Sequence, residues 1–372
     1  MNDQNIRLTF RSGGWVLVIS AIVLIGVVIW AVAPAVFRLA ILPPGDNQTI
    51  ESYEFDLSNL QLDRELVVPA MRHRNMSPIV TDPIVLSPEE IQLLNNSKRD
   101  PLVVSSDLVI GVVINGEARA YPLHFLHVHE IINDTLGGTP IAIMWHWPSG
   151  HIAVFERNIS GNIAQFANSG LAGNGGMLFY KLSDRVGNEQ LFASMLGSSV
   201  TGESVVLSPV IHDVVSWKRW HSEHPKTTSL GPDKQMKKRY RKASPELYFL
   251  TKKIYFPTDP IPISKAAPKT IVIVISIGEI ERVYSLPDLL DVAGDDGKVI
   301  ETVGGVKIVF TVDAHPMSVS VRSINGDPIH ATRALWFAWH ANHQYSKIEK
   351  LGVPGTPVPG TPVPGTPVPG TL

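Results

Sequence analysis

From Gly13 to Phe37 the chain reads GGWVLVISAIVLIGVVIWAVAPAVF, 25 residues without a charged side chain. About 20 such residues carry a helix across the hydrocarbon core of a bilayer. Trp15 and Trp30 fall near the two ends, where amphipathic indoles settle at headgroup level. AVAPAVF offers a small-residue cut site, but the apolar stretch is long for a cleaved signal peptide, so an uncleaved anchor over 13–37 is expected. Arg7 and Arg11 precede the span, and Asp46 and Glu51 follow it. That asymmetry keeps residues 1–12 in the cytoplasm and puts the rest of a single-pass cell-membrane protein outside.

The whole chain has 372 residues, of which 44% are hydrophobic, enough for a sizeable core. Its formal net charge of −2 argues against a general nucleic-acid partner. It has no cysteine, which excludes disulfides, thiolate-bound cofactors and cysteine nucleophiles.

Residues 38–80 read as a tether with one edge-strand candidate. SPEEIQLLNN (87–96) reads as a short helix, with Ser87 as cap, Pro88 at its first position and Glu90 closing a capping box. DLVIGVVING and EARAYPL form a hairpin around Asn115-Gly116. YPLHFLHVHEIIND (121–134) has the apolar spacing of a helix, TLGGTP breaks it, and IAIMWHW returns as a strand whose hairpin partner is IAVFERN.

The same order recurs downstream. TIVIVISIGEIERVYSLPDLL (270–290) echoes 107–126, and ETVGGVKIVFTVDAHPMSVSV (301–321) echoes 134–155. Shared landmarks are Gly116 with Gly278, Tyr121 with Tyr284, and the two Thr-x-Gly-Gly turns. The expected fold class is α+β, mostly antiparallel, with a first lobe over 81–225 and a second repeated lobe over 266–350. A basic linker, 226–265, separates them; it contains DKQMKKRYRKASPELYFLTKK and reads as a solvated connection rather than a lipid-binding stripe. The tail from 351 to 372 carries tandem VPGTP units, whose prolines forbid helix and ladder alike.

VIGVVINGEARAYPL, HEIINDTLGGTPIAI, AVFER, FANSGL, VTGESVVLSP and SWKRWHSEHPKT together resemble the domain of unknown function family 3179, over roughly residues 80–345. The family resemblance implies a membrane-linked or exported protein and no settled activity. Members usually carry Cys-x-x-Cys after the IAI strand. Here those places are His146 and Ser149, so a thiol redox or thiolate-metal role cannot operate.

Imidazole binds transition metals, and His129, His146 and His151 form a candidate metal set, with Glu130, Asn133 and Asp134 of HEIIND beside them. The competing reading is structural: His129 and Glu130 hold loop backbone, His146 is a satisfied strand residue and His151 an exposed turn residue. WFAWHANH (336–343) reads as a core-sealing helix, with a His-lined pocket as the alternative. No catalytic residue is assigned, since no nucleophile elbow or phosphate loop is present. Two functions follow: an anchored extracytoplasmic binding or scaffolding module with a protein partner outside the cytoplasm, or a metal-binding protein or metal-dependent enzyme built on the His cluster.

Overall fold

A computed structural model describes residues 14–40, 43–97, 101–184, 187–240 and 245–351. The expected cytoplasmic segment 1–12, the tail repeats from Val353 and residues 241–244 of the basic run lie outside the described residues. Gly14–Ala40 is helix α1, and Gly14–Ala33 is the one stretch among the described residues long and apolar enough to cross a membrane. From Gly45 onward the chain belongs to a second compact unit.

That unit opens with a correction. Residues expected as tether are built into it: Tyr53, Phe55 and Val67 are buried against Leu171, Leu178 and Tyr180, and Val67–Pro69 forms an edge strand. Aromatic side chains in an otherwise polar stretch are what draw it in. Helix α2 (Pro88–Asn95) follows with the capping box in place.

Leu108–Ile114 (β1) and Glu117–Pro122 (β2) form the hairpin, with Asn115 and Gly116 both at positive φ, as the tight turn requires. Gly111 has no side chain because the Trp220 ring lies against its Cα. Helix α3 (Leu123–His129) is shorter than the spacing predicts. Glu130 takes φ +57 and ends it, and Ile131–Leu136 becomes strand β3. The β-branched Ile131 and Ile132 pair with Met144 and Ile143 instead of continuing the helix. Thr139–His146 (β4) and His151–Glu156 (β5) complete a meander. Both of its faces are covered, which accounts for the near-continuous apolar run of IAIMW. Ile143, Trp145 and Val154 face the hairpin side, whereas Met144, Ala153 and Phe155 face an inserted sheet. That sheet is Phe166–Gly173 (β6), Gly176–Lys181 (β7) and Leu191–Ala193 (β8), with short strands at its two edges. His212–Ser216 (β9) then runs back beside β1 and feeds helix α4 (Trp217–Glu223).

The expected basic linker is also packed. Thr228–Leu230 pairs parallel to β2. In Lys237–Tyr240 (α5) the Tyr240 ring meets Phe125 at 4.7 Å, and in Glu246–Leu250 (α6) Tyr248 is buried. These tyrosines anchor a stretch whose charge suggested a solvated chain.

A second series follows: Ile271–Ile277 (β10), Ile280–Ser285 (β11), helix α7 (Leu286–Val292), Lys298–Val303 (β12), Val306–Ala314 (β13), Met317–Ser323 (β14), Ala331–Leu335 (β15) and helix α8 (Trp336–Asn342). Its order, hairpin, helix, meander, return strand, helix, is that of the first series apart from the inserted sheet. Each series has its own apolar core. The sheets, however, run through both. One has the order β12-β13-β14-β9-β1-β2, continued by two short strands, and the other β11-β10-β15-β5-β4-β3, continued by one. The hairpin of each series therefore lies in the sheet that holds the other's meander. The pairing is mostly antiparallel, as expected for the α+β class, but the two series are joined through shared sheets rather than by a linker alone.

Candidate functional site

The residues of HEIIND are framework. His129, closing α3, donates from Nδ1 to the Pro78 carbonyl at 3.0 Å and accepts the Tyr240 hydroxyl on Nε2 at 2.7 Å. Glu130 is buried, its carboxylate meeting the Ser77 hydroxyl at 3.3 Å and the Asn168 amide. Loss of hydration pushes its carboxyl up to about 8, so it is protonated at neutral pH. Asn133 bonds the Val80 and Phe166 carbonyls and the Phe166 N–H. Asp134 receives Arg119 at 2.6 Å and the Tyr121 hydroxyl at 2.7 Å. Asn133 and Asp134 are strand residues, not residues of the expected helix.

His146 and His151 face each other across the β4–β5 hairpin and are both buried. Ser149 Oγ lies 2.7 Å from His146 Nδ1 and donates to the His146 carbonyl at 3.2 Å. The two places of the Cys-x-x-Cys pattern thus hold a hydrogen-bonded pair that closes the turn. Desolvation pushes both imidazoles down to about 3, leaving them neutral. His129 is engaged elsewhere on both nitrogens, so the structure brings together two members of the expected trio. Among the described residues, no group of three or more His, Asp or Glu side chains is placed to hold a metal ion.

His151 does, however, open onto a pocket of about 280 Å³. Its lining includes the apolar side chains of Phe155, Met195 and Leu207. It also includes His151, His212 at the start of β9, His330 just before β15, Trp339 of α8, His343 just after α8, and Glu281. Three buried polar atoms on this lining, Ser194 Oγ, His212 Nε2 and Trp339 Nε1, have no hydrogen-bond partner in the protein. Buried polar groups are nearly always paired, and each orphan costs about 1–3 kcal/mol. All three atoms belong to residues that line this one pocket.

The tautomers are set locally. His212 Nδ1 donates to the Val210 carbonyl at 3.0 Å and His343 Nδ1 to the Trp339 carbonyl at 3.2 Å, so each presents Nε2 as an acceptor. His343 stacks on Trp339 with ring centroids 3.8 Å apart, which fixes both. Burial lowers His212 and His343, and burial with the neighbouring His212 takes His330 down to about 4.

The sequence reading missed His212 and His330. No local pattern marks those two, but one does bear on the pocket: Trp217-x-x-Trp220-His221-x-x-His224 along and just past α4 and Trp336-x-x-Trp339-His340-x-x-His343 along and just past α8 share one pattern. In both, the second Trp ring lies against the last His, tilted by 43° at 4.1 Å in the first copy and stacked at 3.8 Å in the second. Only the α8 copy lies on the pocket.

A family model described as "Protein of unknown function (DUF3179)" matches residues 83–327. The chain belongs to that family. The DUF3179 span holds His151, Ser194, His212 and Glu281, and ends before His330, Trp339 and His343, short of the boundary near 345 suggested by WFAWHANH. No curated protein and no solved structure matches the chain.

Proposed function

We propose that this DUF3179 protein is a membrane-anchored binding module, non-catalytic, whose body lies outside the cytoplasm and holds a small ligand in the His-lined pocket. The observation that carries the reading is the trio of orphan polar atoms, Ser194 Oγ, His212 Nε2 and Trp339 Nε1, on one lining. A ligand that completes those hydrogen bonds removes a cost the free protein bears. The apolar N-terminal helix supports anchoring, and Arg7 and Arg11 ahead of it support an external body. The test is to purify the full chain from its membrane in detergent, denature it and identify released small molecules by mass spectrometry. A species present with the wild type and lost with Ser194→Ala or Trp339→Phe is expected. Identical extracts from all three proteins contradict the reading.

A second reading, a metal-binding protein, has one observation in its favour. The His212 and His330 rings are 6.0 Å apart, and His212 Nδ1 is held by a carbonyl in the way that orients metal-ligating imidazoles. Stoichiometric zinc uptake by the full chain, abolished by His212→Ala, is the result that selects it.

A further inference from the structure

We infer that the pocket selects an uncharged ligand, a small molecule bearing a hydroxyl or primary amide on an apolar frame, and discriminates against anions. This rests on the binding reading above and adds the class of ligand.

The hydrogen-bonding demand comes first. Trp339 Nε1 can only donate, so it needs an acceptor. His212 Nε2 can only accept, because its Nδ1 proton is committed to Val210. Ser194 Oγ can do either. A group offering both a lone pair and a proton, such as a hydroxyl or an amide, answers this set. A carboxylate has no proton for His212.

The charge of the lining points the same way. Among the described residues it contains no lysine and no arginine, and Glu281 brings a carboxylate. The four imidazoles are all depressed by burial and are neutral near pH 7. An anion entering here loses its hydration and meets no compensating cation. Phe155, Met195 and Leu207 on the same lining offer apolar contact, so a wholly polar ligand leaves that surface unused.

Benzamide and benzoate are near-isosteres that differ in charge and in the amide proton, and they test this directly. Each is titrated into the full chain in detergent near neutral pH, with protein-observed NMR or calorimetry as readout, and zinc chloride is titrated separately. The expected result is that benzamide binds at least about tenfold more tightly than benzoate, a difference of one hydrogen bond or more. Ser194→Ala and Trp339→Phe each weaken benzamide several-fold; Ser194→Ala removes one oxygen and keeps the fold should Trp339→Phe disturb it. Benzoate binding as tightly as benzamide, with the same sensitivity to the two variants, overturns the ligand class and leaves the pocket a binding site. Stoichiometric zinc binding lost in His212→Ala, without benzamide binding, overturns it in favour of a metal. Failure of both organic probes and of zinc at millimolar concentration overturns the ligand class and the binding reading together.

Discussion

Arg322 on β14 grips Asp213 on β9 with two guanidinium nitrogens, at 2.8 and 2.5 Å. The strands they sit on pair through the backbone only at Val214 and Val319, and β15 meets β5 only at Arg333 and Ile152. The fork therefore reinforces a narrow seam between the two series. Bidentate pairs of this kind resist sliding as well as separation. Arg322→Ala leaves Asp213 without its partner and is expected to cost on the order of 2 kcal/mol. The denaturation midpoint of the full chain reads it. A double-mutant cycle with Asp213→Ala should return a coupling energy of similar size.

Asp134 carries a heavier load. Removing it strands the Arg119 guanidinium and the Tyr121 hydroxyl in the core, with Arg119 keeping its contact to Thr228. Asp134→Ala is expected to destabilise by about 3–5 kcal/mol, the range for breaking a buried pair. Thermal unfolding or soluble yield measures it. Asp134→Asn retains an acceptor and should cost less.

Gly111 and Trp220 make a steric prediction. Gly111 has ordinary strand geometry, so a methyl group causes no backbone strain, yet it would overlap the Trp220 ring. Gly111→Ala is expected to cost about 1–3 kcal/mol through overpacking. Trp220→Leu in the same chain should recover part of that loss, whereas alone it is destabilising. The ordering of the three midpoints is the check.

Glu130 gives stability a pH dependence. Its folded carboxyl titrates at about 8 and its unfolded one near 4.5, because burial disfavours the anion. Between those values the folded state holds a proton that the unfolded state has released. The stabilisation is complete below about pH 4.5 and declines as pH rises toward 8, by at most about 1.4 kcal/mol per pH unit. Glu130→Gln keeps an oxygen acceptor for Ser77 and Asn168 and removes the titration. Chemical denaturation across that window should show the slope in the wild type and its absence in the variant.

What could be read from the chain was local. Ser87 with Glu90, Asn115-Gly116 and the Thr-x-Gly-Gly turns each depend on a few adjacent residues, and each appears where expected. The helix over 121–134 overran because apolar spacing does not distinguish a helix end from a buried strand; the positive φ of Glu130 was not visible in its residue type. The supposed tether and linker were judged by polarity, while Tyr53, Tyr240 and Tyr248 anchor them through contacts distant in sequence. The pocket was the least legible part. His151, Ser194, His212, His330 and Trp339 come from separate segments, and only the joining of the two series in shared sheets brings them together. His129 drew attention by its neighbours and proves to be a buried tie.

The most direct measurement is a high-resolution crystal structure of the protein purified from its own membrane with no ligand added. The account predicts density larger than water in the pocket, within hydrogen-bond distance of Ser194 Oγ, His212 Nε2 and Trp339 Nε1. Finding those three atoms paired with the protein itself and the pocket closed would contradict it.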